Sequence, residues 1–524
     1  MAAMKNHDIQ AAWSYHNGTK HSYQSIRTHA HYLDWENRPL PFKIYSELEA
    51  IPLPENLSSS VMPALSAISS FPTQRGEGVR LTAQSLAESL FLSAGVTKRR
   101  SYPGGEMLFR AAACTGALYH IDLYLICGDL EGLGAGVYQF SPHDFSLRRL
   151  RAGDYRSVLV HASGEDPAIV NASCIIVSVS TYWRNAWKYQ SRAYRHCYWD
   201  NGTVLANLLA AAAARKILAK LVLGFVDAVV NELLGLNPQR EAALSLVGLG
   251  EALPRRLGFS PPIEPVVFET LPLSKSEVDY PAMRAMHEAS SLEAEAEVVA
   301  WRGRAEKGPS TRIKSDRRES RLFPLQRLPS EELPQDTLDE VVVRRGSTRE
   351  FSREAIGFSQ LSTMLDRATR GIDADFLSPA EPSLNHLYLI IHAVEGLPPG
   401  AYFYRRAEHA LELLKPGDFR RAAGSLGLGQ EIPADCSVNI YFAADLSSIL
   451  ARFGNRGYRA AQLEAAIMGG KLYLAAYGQR LGASGLTFFD DDVTEFFSPH
   501  ADGMSVMFLI ALGKSVKQKG LKVH

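Results

Sequence analysis

The run Arg344-Arg345-Gly346-Ser347-Thr348-Arg349-Glu350-Phe351 puts three guanidinium groups and two hydroxyls on one short segment. A phosphate wants bidentate cationic donors, and arginine's rigid fork supplies them. The same residues also suit a solvated basic turn ahead of a helix. Other reactive side chains group less tellingly. His16, His21, His29 and His31 lie in a polar N-terminal stretch with Trp13 and Trp35, at spacings that match no standard metal-ligand set. That arm is expected to wrap across the folded body or to lid a cleft. Asp490-Asp491-Asp492 offers carboxylates to Mg²⁺, but fits a solvated helix start before Val493 better. Cys197 beside His196 is no nucleophile without a pocket around it. No metal site is expected.

Placing such groups takes a frame, and the frame is a repeat. Glu131-Gly132-Leu133, then Gly136 and Tyr138, returns as Glu395-Gly396-Leu397, then Gly400 and Tyr402, at an offset of 264. The same offset pairs Tyr194-Arg195 with Tyr458-Arg459, each opening a long Ala/Leu-rich helical stretch. Leu118-Tyr119-His120 and Leu384-Asn385-His386 precede apolar strands at nearly the same spacing. Three landmarks in one order predict a duplication. Each half reads as helices and then strands, at 121–127, 136–140 and 174–180 and at 387–392, 400–404 and 437–443. A last strand is expected at 505–512. Helices mixed with mainly antiparallel strands give an α+β class. The expected organisation is an arm (1–50), a first domain (51–273), a charged connection with a helix (274–338) and a second domain (339–524).

The bulk composition narrows the class. At 524 residues the chain exceeds one ordinary core. Equal numbers of basic and acidic residues, 56 each, speak against a nucleic-acid binder. Five cysteines without a C-x-x-C pair argue against a disulfide framework or a zinc site and suit a reducing cytoplasm. Arg215, Lys216, Lys220 and Asp227 interrupt the apolar stretch from Thr203 to Leu236 before the roughly 18 apolar residues of a membrane span. It reads as one or two buried helices of a soluble protein.

R-R-x-S-x-R-x-F opening a helical domain resembles the FMN-phosphate signature of the nitroreductase superfamily. Thr115-Gly116-Ala117-Leu118-Tyr119-His120-Ile121-Asp122-Leu123-Tyr124 is similar to the G-A-L-Y-P-I-E-L-Y segment of its SagB-type branch, which contains azoline dehydrogenases. Glu131-Gly132-Leu133 with Gly136-Val137-Tyr138, Lys188-Tyr189, and Arg192-Ala193-Tyr194-Arg195 before a helix with Gly202 and Asn207 complete the match. The resemblance implies two nitroreductase-like domains fused as a pseudo-dimer, with FMN bound where they meet.

The two halves diverge in complementary ways. Near the place of Arg349 the first half has only Thr73, Gln74, Arg75 and Gly76. The second keeps the basic motif, the glycine-rich Gly482-Ala483-Ser484-Gly485-Leu486-Thr487, whose backbone can approach a flat ring, and Lys514. Gly116-Ala117-Leu118-Tyr119 survives only in the first half, and Lys188-Tyr189 becomes Arg452-Phe453 in the second. The resemblance then implies one flavin per chain. Arg345, Ser347, Arg349 and Lys514 hold its phosphate; Ser484, Gly485 and Leu486 face the ring; Thr115, Gly116, Ala117 and Leu118 approach from the first half. It also implies Lys188 and Tyr189 as the candidate bases. Both titrate near about 10 when unperturbed, and desolvation beside the flavin would lower the lysine. Tyr198 and Trp199 are expected to pack around the cleft or the core.

The expected function is FMN-dependent dehydrogenation, azoline to azole, of a peptide-derived or small-molecule substrate, with biosynthetic partner enzymes and with further oligomerisation left open. The alternatives are an NAD(P)H-dependent nitro or quinone reductase and a non-catalytic flavin- or peptide-binding scaffold. Fold alone does not choose among them.

Overall fold

Each half of the repeat builds one seven-stranded antiparallel sheet. The computed structural model describes residues 5–28, 31–70, 79–102, 105–251, 261–307 and 321–516. The first sheet contains β1 (Ala50–Pro52), β2 (Ile121–Cys127), β3 (Gly136–Ser141), β4 (Ser146–Ala152), β5 (Cys174–Thr181), β6 (Ala219–Val222) and β7 (Glu241–Leu249), in the order β1-β4-β3-β2-β5-β7-β6. The second contains β8 (Leu322–Pro324), β9 (Asn385–Ile391), β10 (Gly400–Arg405), β11 (Ala410–Pro416), β12 (Val438–Ala444), β13 (Gly482–Gly485) and β14 (Ser505–Gly513), in the order β8-β11-β10-β9-β12-β14-β13. Adding seven to each label converts one sheet into the other. Irregularities repeat as well: β-bulges fall at Val137/Tyr138 and Ala401/Tyr402, and at Ser178/Val179 and Phe442/Ala443, 264 residues apart in each case. The α+β reading and the duplication are thus visible strand by strand.

Central strands such as β2, β5 and β7 are buried along their whole length, which explains their near-continuous apolar sequences. The stretch expected as one or two helices is helix, edge strand and helix. The Ala193–Ala214 helix ends as Lys216 adopts a φ of 56°, and β6 intervenes before the Asp227–Leu234 helix. Among the described residues no helix is long and apolar enough to cross a membrane. Cys127 and Cys174, 47 residues apart in sequence, are cross-strand neighbours with their sulfurs 3.0 Å apart as free thiols.

The Ala193–Ala214 and Arg456–Gly478 helices pack against each other and join the halves. A Cβ on Gly202 would run into Ala466, and one on Gly470 would run into Ala206. Each of these pairs is 264 residues apart, so each residue meets its own repeat partner. That is the contact pattern of a two-fold axis, here inside one chain.

Charged contacts cross the axis. Arg192 and Arg195 bind Asp490 at 3.0 and 2.5 Å, and Arg456 and Arg459 bind Asp227 at 2.7 Å each. All six side chains are buried. Asp490 is therefore not the solvated helix start that its acidic run suggests. Burial alone would raise its pKa, but the two guanidinium groups outweigh that and hold it well below the usual carboxylate range.

The arm and part of the charged connection play the same role on opposite sides. The His16 carbonyl accepts from Arg195 at 2.7 Å, and the His287 carbonyl accepts from Arg459 at 2.6 Å. His21 donates its backbone N–H to Asp490, as Leu292 does to Asp227. The offset is 271 throughout. The Gln10–Gly18 and Pro281–Ala289 helices are thus a further repeated element, and residues 281–292 are packed structure despite their polar sequence.

Candidate active site

Where the halves meet, a cleft of about 600 Å³ takes its walls from both. From the first half, the Tyr182–Tyr189 helix carries Lys188 and Tyr189 to its edge. Arg184 pins that helix, pairing with buried Asp122 at 2.6 Å and donating to the Tyr119 carbonyl at 3.0 Å. The helix stops where Gln190 takes a φ of 50°, which turns the chain into the next helix with His196, Trp199 and Asp200. Asp200 organises the turn opposite. Its carboxylate accepts from Thr115 N at 2.9 Å, Thr115 Oγ1 at 2.7 Å and Cys114 Sγ at 3.1 Å, and pairs with His120 Nε2 at 2.8 Å. Gly116 in that turn has a φ of 66°, and a Cβ there would lie 2.9 Å from the Tyr189 hydroxyl. Both the conformation and the space require glycine.

The second half contributes the basic run and an edge strand. Thr348 donates its backbone N–H to the Ala483 carbonyl at 2.8 Å, which lays the run along β13. A Cβ on Gly482 would collide with the Thr348 hydroxyl. This alignment brings Ser347 and Arg349 to the cleft that Gly485, Leu486 and Thr487 also line. Tyr473 links them, accepting the Gly485 N–H and lying 3.4 Å from Ser347 Oγ. Phe109, Trp199 and Phe508 supply flat apolar wall.

The cleft is electropositive. Arg38, Lys188 and Arg349 line it, and its one acid, Asp200, already accepts from the Thr115 turn. Burial, then the charges of Arg349 and Arg38, lowers the Lys188 pKa toward the neutral amine. Burial raises Tyr189 well above its ordinary value, and the Asp200 carboxylate adds to this. Tyr189 therefore stands on the protonated side at neutral pH, where its phenol can donate a hydrogen bond beside Lys188. His196 is held neutral by burial and Arg192. Its Nε2 and Thr487 Oγ1 are buried without a protein partner.

Of the expected residues, Thr115, Gly116, Ala117, Ser347, Arg349, Gly485, Leu486, Lys188 and Tyr189 converge on this cleft. Four do not line it. Arg345 is buried and spends its guanidinium on the carbonyls of Ala111 at 2.8 Å and Arg110 at 3.1 Å, so it ties the halves together. Leu118 packs in a small apolar cluster with Trp183, Trp187 and Leu273. Ser484 is fully buried, as alternation along β13 dictates for the neighbour of a cleft-facing residue. Lys514 lies 3.3 Å from Glu354 in an exposed ion pair. Thr73, Gln74, Arg75, Gly76 and His29 lie outside the described residues. His16 packs against Tyr458, and His31 Nε2 lies 2.8 Å from the Trp187 carbonyl, so these two serve the arm's docking. Sequence reasoning missed Arg38, Asp200 and Tyr473, and took Thr487 only as part of the glycine-rich run. Asp200 had a signal, because Glu464 repeats its acidity at the 264 offset.

The Nitroreductase family profile matches residues 89–251 and 342–514, more than half of the chain. The chain belongs to the nitroreductase family and carries its fold twice. It is a nitroreductase-family oxidoreductase. A solved nitroreductase-family protein from Anabaena variabilis is 27% identical, covers 97% of this chain and 99% of its own, and has a TM-score of 0.76. A nitroreductase-family protein of Methanocaldococcus jannaschii is 25% identical over 173 residues, 33% of this chain and 82% of that protein. The trifolitoxin-processing protein TfxB of Rhizobium leguminosarum is 27% identical over 152 residues, 28% of this chain. The match spans 40% of TfxB, less than half its length.

Proposed function

We propose that this oxidoreductase binds one FMN between its halves and dehydrogenates a C–N or C–C bond of a peptide-derived or small-molecule substrate, an azoline being the favoured case. The observation that carries this reading is the meeting of Ser347 and Arg349 from one half with Lys188 and Tyr189 from the other in one cleft. The residues fit the cofactor. Arg349 and Ser347 suit its phosphate, and the unpartnered His196 Nε2 and Thr487 Oγ1 suit a heteroatom-bearing ring. Trp199, Leu486 and Phe508 suit the ring's flat faces. When bound, FMN supplies a ring that accepts hydride.

The chain's own part is positioning and proton handling. Lys188, shifted toward the neutral amine, takes the proton from the substrate carbon. Tyr189, kept protonated, donates a hydrogen bond that orients the ring being oxidised. Asp200 holds the Thr115–Ala117 turn as the opposing wall. The similarity to a trifolitoxin-processing protein supports a peptide-derived substrate and biosynthetic partner proteins. The five cysteines, all free thiols, suit action in a reducing cytoplasm.

Purified protein should be yellow and release one FMN per chain on heating, quantified against protein. With an azoline-containing peptide it should form the azole. Colourless protein that cannot be loaded with FMN would overturn the cofactor. Turnover of a nitroarene with NADPH, and none of the azoline, would overturn the reaction.

A further inference from the structure

Arg38 belongs to the arm, far in sequence from every other cleft residue, yet it lines the same cleft as Lys188 and Arg349. Its backbone is firmly held. Asp34 caps the short turn before it through Glu36 N at 3.1 Å and Asn37 N at 3.3 Å. Asn37 shares three hydrogen bonds with Ser276, Leu40 donates to the Leu273 carbonyl, and Trp187 Nε1 donates to the Asp34 carbonyl. The neighbouring cations are paired, Lys43 with Glu241 and Lys275 with Glu36. Among the described residues Arg38 has no acidic partner, and the cleft's acid, Asp200, is occupied by the Thr115 turn.

Ser347 and Arg349 would account for a cofactor phosphate, which leaves the guanidinium of Arg38, exposed and lining the cleft beside Lys188, available to a ligand. We infer that Arg38 is a specificity-determining residue that binds a carboxylate on a small planar substrate. This rests on the cleft being the flavin site proposed above. A guanidinium grips a carboxylate bidentately, so it fixes orientation as well as supplying attraction. The same contact would aim the substrate's reacting carbon at Lys188.

The test uses the FMN-loaded enzyme with benzoate and with benzamide, its neutral counterpart of the same shape, followed by the perturbation of the flavin absorbance. Benzoate should bind roughly tenfold more tightly than benzamide. Arg38→Ala should remove that preference and leave benzamide binding, FMN content and melting temperature unchanged. Equal binding of the two ligands by the native protein would overturn the inference. So would an equal loss for both ligands in Arg38→Ala, or a loss confined to NADPH, whose phosphates are the other anions that could use this arginine. Failure of the flavin reading looks different: the protein is then colourless. The same two ligands are then compared by thermal shift, and an Arg38-dependent preference for benzoate still decides the matter.

Discussion

The two clefts related by the internal two-fold axis have the same frame and opposite contents. On one side the cleft between Lys188, Tyr189 and Gly485 is open. On the other, the equivalent residues, 264 positions later, are Arg452 and Phe453. Arg452 pairs with Glu381 and donates to the carbonyls of Arg304 at 2.8 Å and Ala305 at 2.7 Å. Phe453 lies against Trp301, with ring centroids 5.4 Å apart, and its carbonyl accepts the indole N–H at 3.0 Å. The edge strand β6, counterpart of β13, is covered by chain. Residues 373–375 pair with it, and the Asp375 carboxylate accepts the Leu223 and Gly224 N–H groups at 2.8 Å each. Chain fills the space. A duplicated fold can thus keep both copies while only one side retains an open cleft, since groups that fill the second cleft add buried contacts at no cost to the first.

The sharpest way to break this comparison is at the Lys-Tyr pair. Lys188→Ala should lower turnover of bound substrate by about 10²–10⁴, and Tyr189→Phe, which removes one orienting hydrogen bond, by roughly tenfold, while FMN content and melting temperature stay near native. Arg452→Ala should do the reverse, lowering the melting temperature and leaving turnover intact, because partly buried Glu381 loses its cation and the carbonyls of Arg304 and Ala305 lose their donor. If both first-half variants, fully loaded with FMN, turned over at native rates, the open cleft would not be the reacting one.

The axis itself can be tested through its buried ion pairs. Burial alone would raise the Asp227 carboxyl, but Arg456 and Arg459 outweigh it and hold the group at about 2. Its folded value lies below an unfolded value near about 3.9. The associated stability is therefore fully present above that value and is lost as pH falls from about 4 to about 2. Asp227→Asn should destabilise by about 3–5 kcal/mol at pH 7. It should also flatten the fall in melting temperature across that acid window. A variant as acid-sensitive as the native protein would show that the pair does not carry this linkage.

A smaller effect sharpens the asymmetry in cofactor binding. Arg349→Ala should weaken FMN about tenfold to a hundredfold, the worth of one charge-assisted contact, measured by fluorescence titration of apoprotein. Lys514→Ala should change it less than twofold, because that ammonium sits on Glu354. Equal losses would return Lys514 to the phosphate.

Much of this was legible without coordinates. The 264 offset follows from landmarks such as Glu131-Gly132-Leu133, and the same number recurs in the bulges and the helix crossing. β2 occupies the predicted 121–127 because seven consecutive buried residues make an apolar run that needs no partner to be recognised. That Ser347, Arg349 and the Thr115–Ala117 turn would stand out was legible because an arginine-rich run and a glycine turn are local patterns; that they meet Lys188 in one cleft was not. What the tertiary structure decided are the pairings across hundreds of residues. Arg345 and Arg349 look alike in sequence, yet one meets the carbonyls of Arg110 and Ala111 and the other meets the cleft. Asp490 looks like its exposed neighbour Asp491, yet two arginines from the other half enclose it. Arg38 reaches the cleft only because the arm docks there. A side chain's charge and size are written locally, but its role depends on which distant group removes its water, and that is settled only when the two halves close on each other.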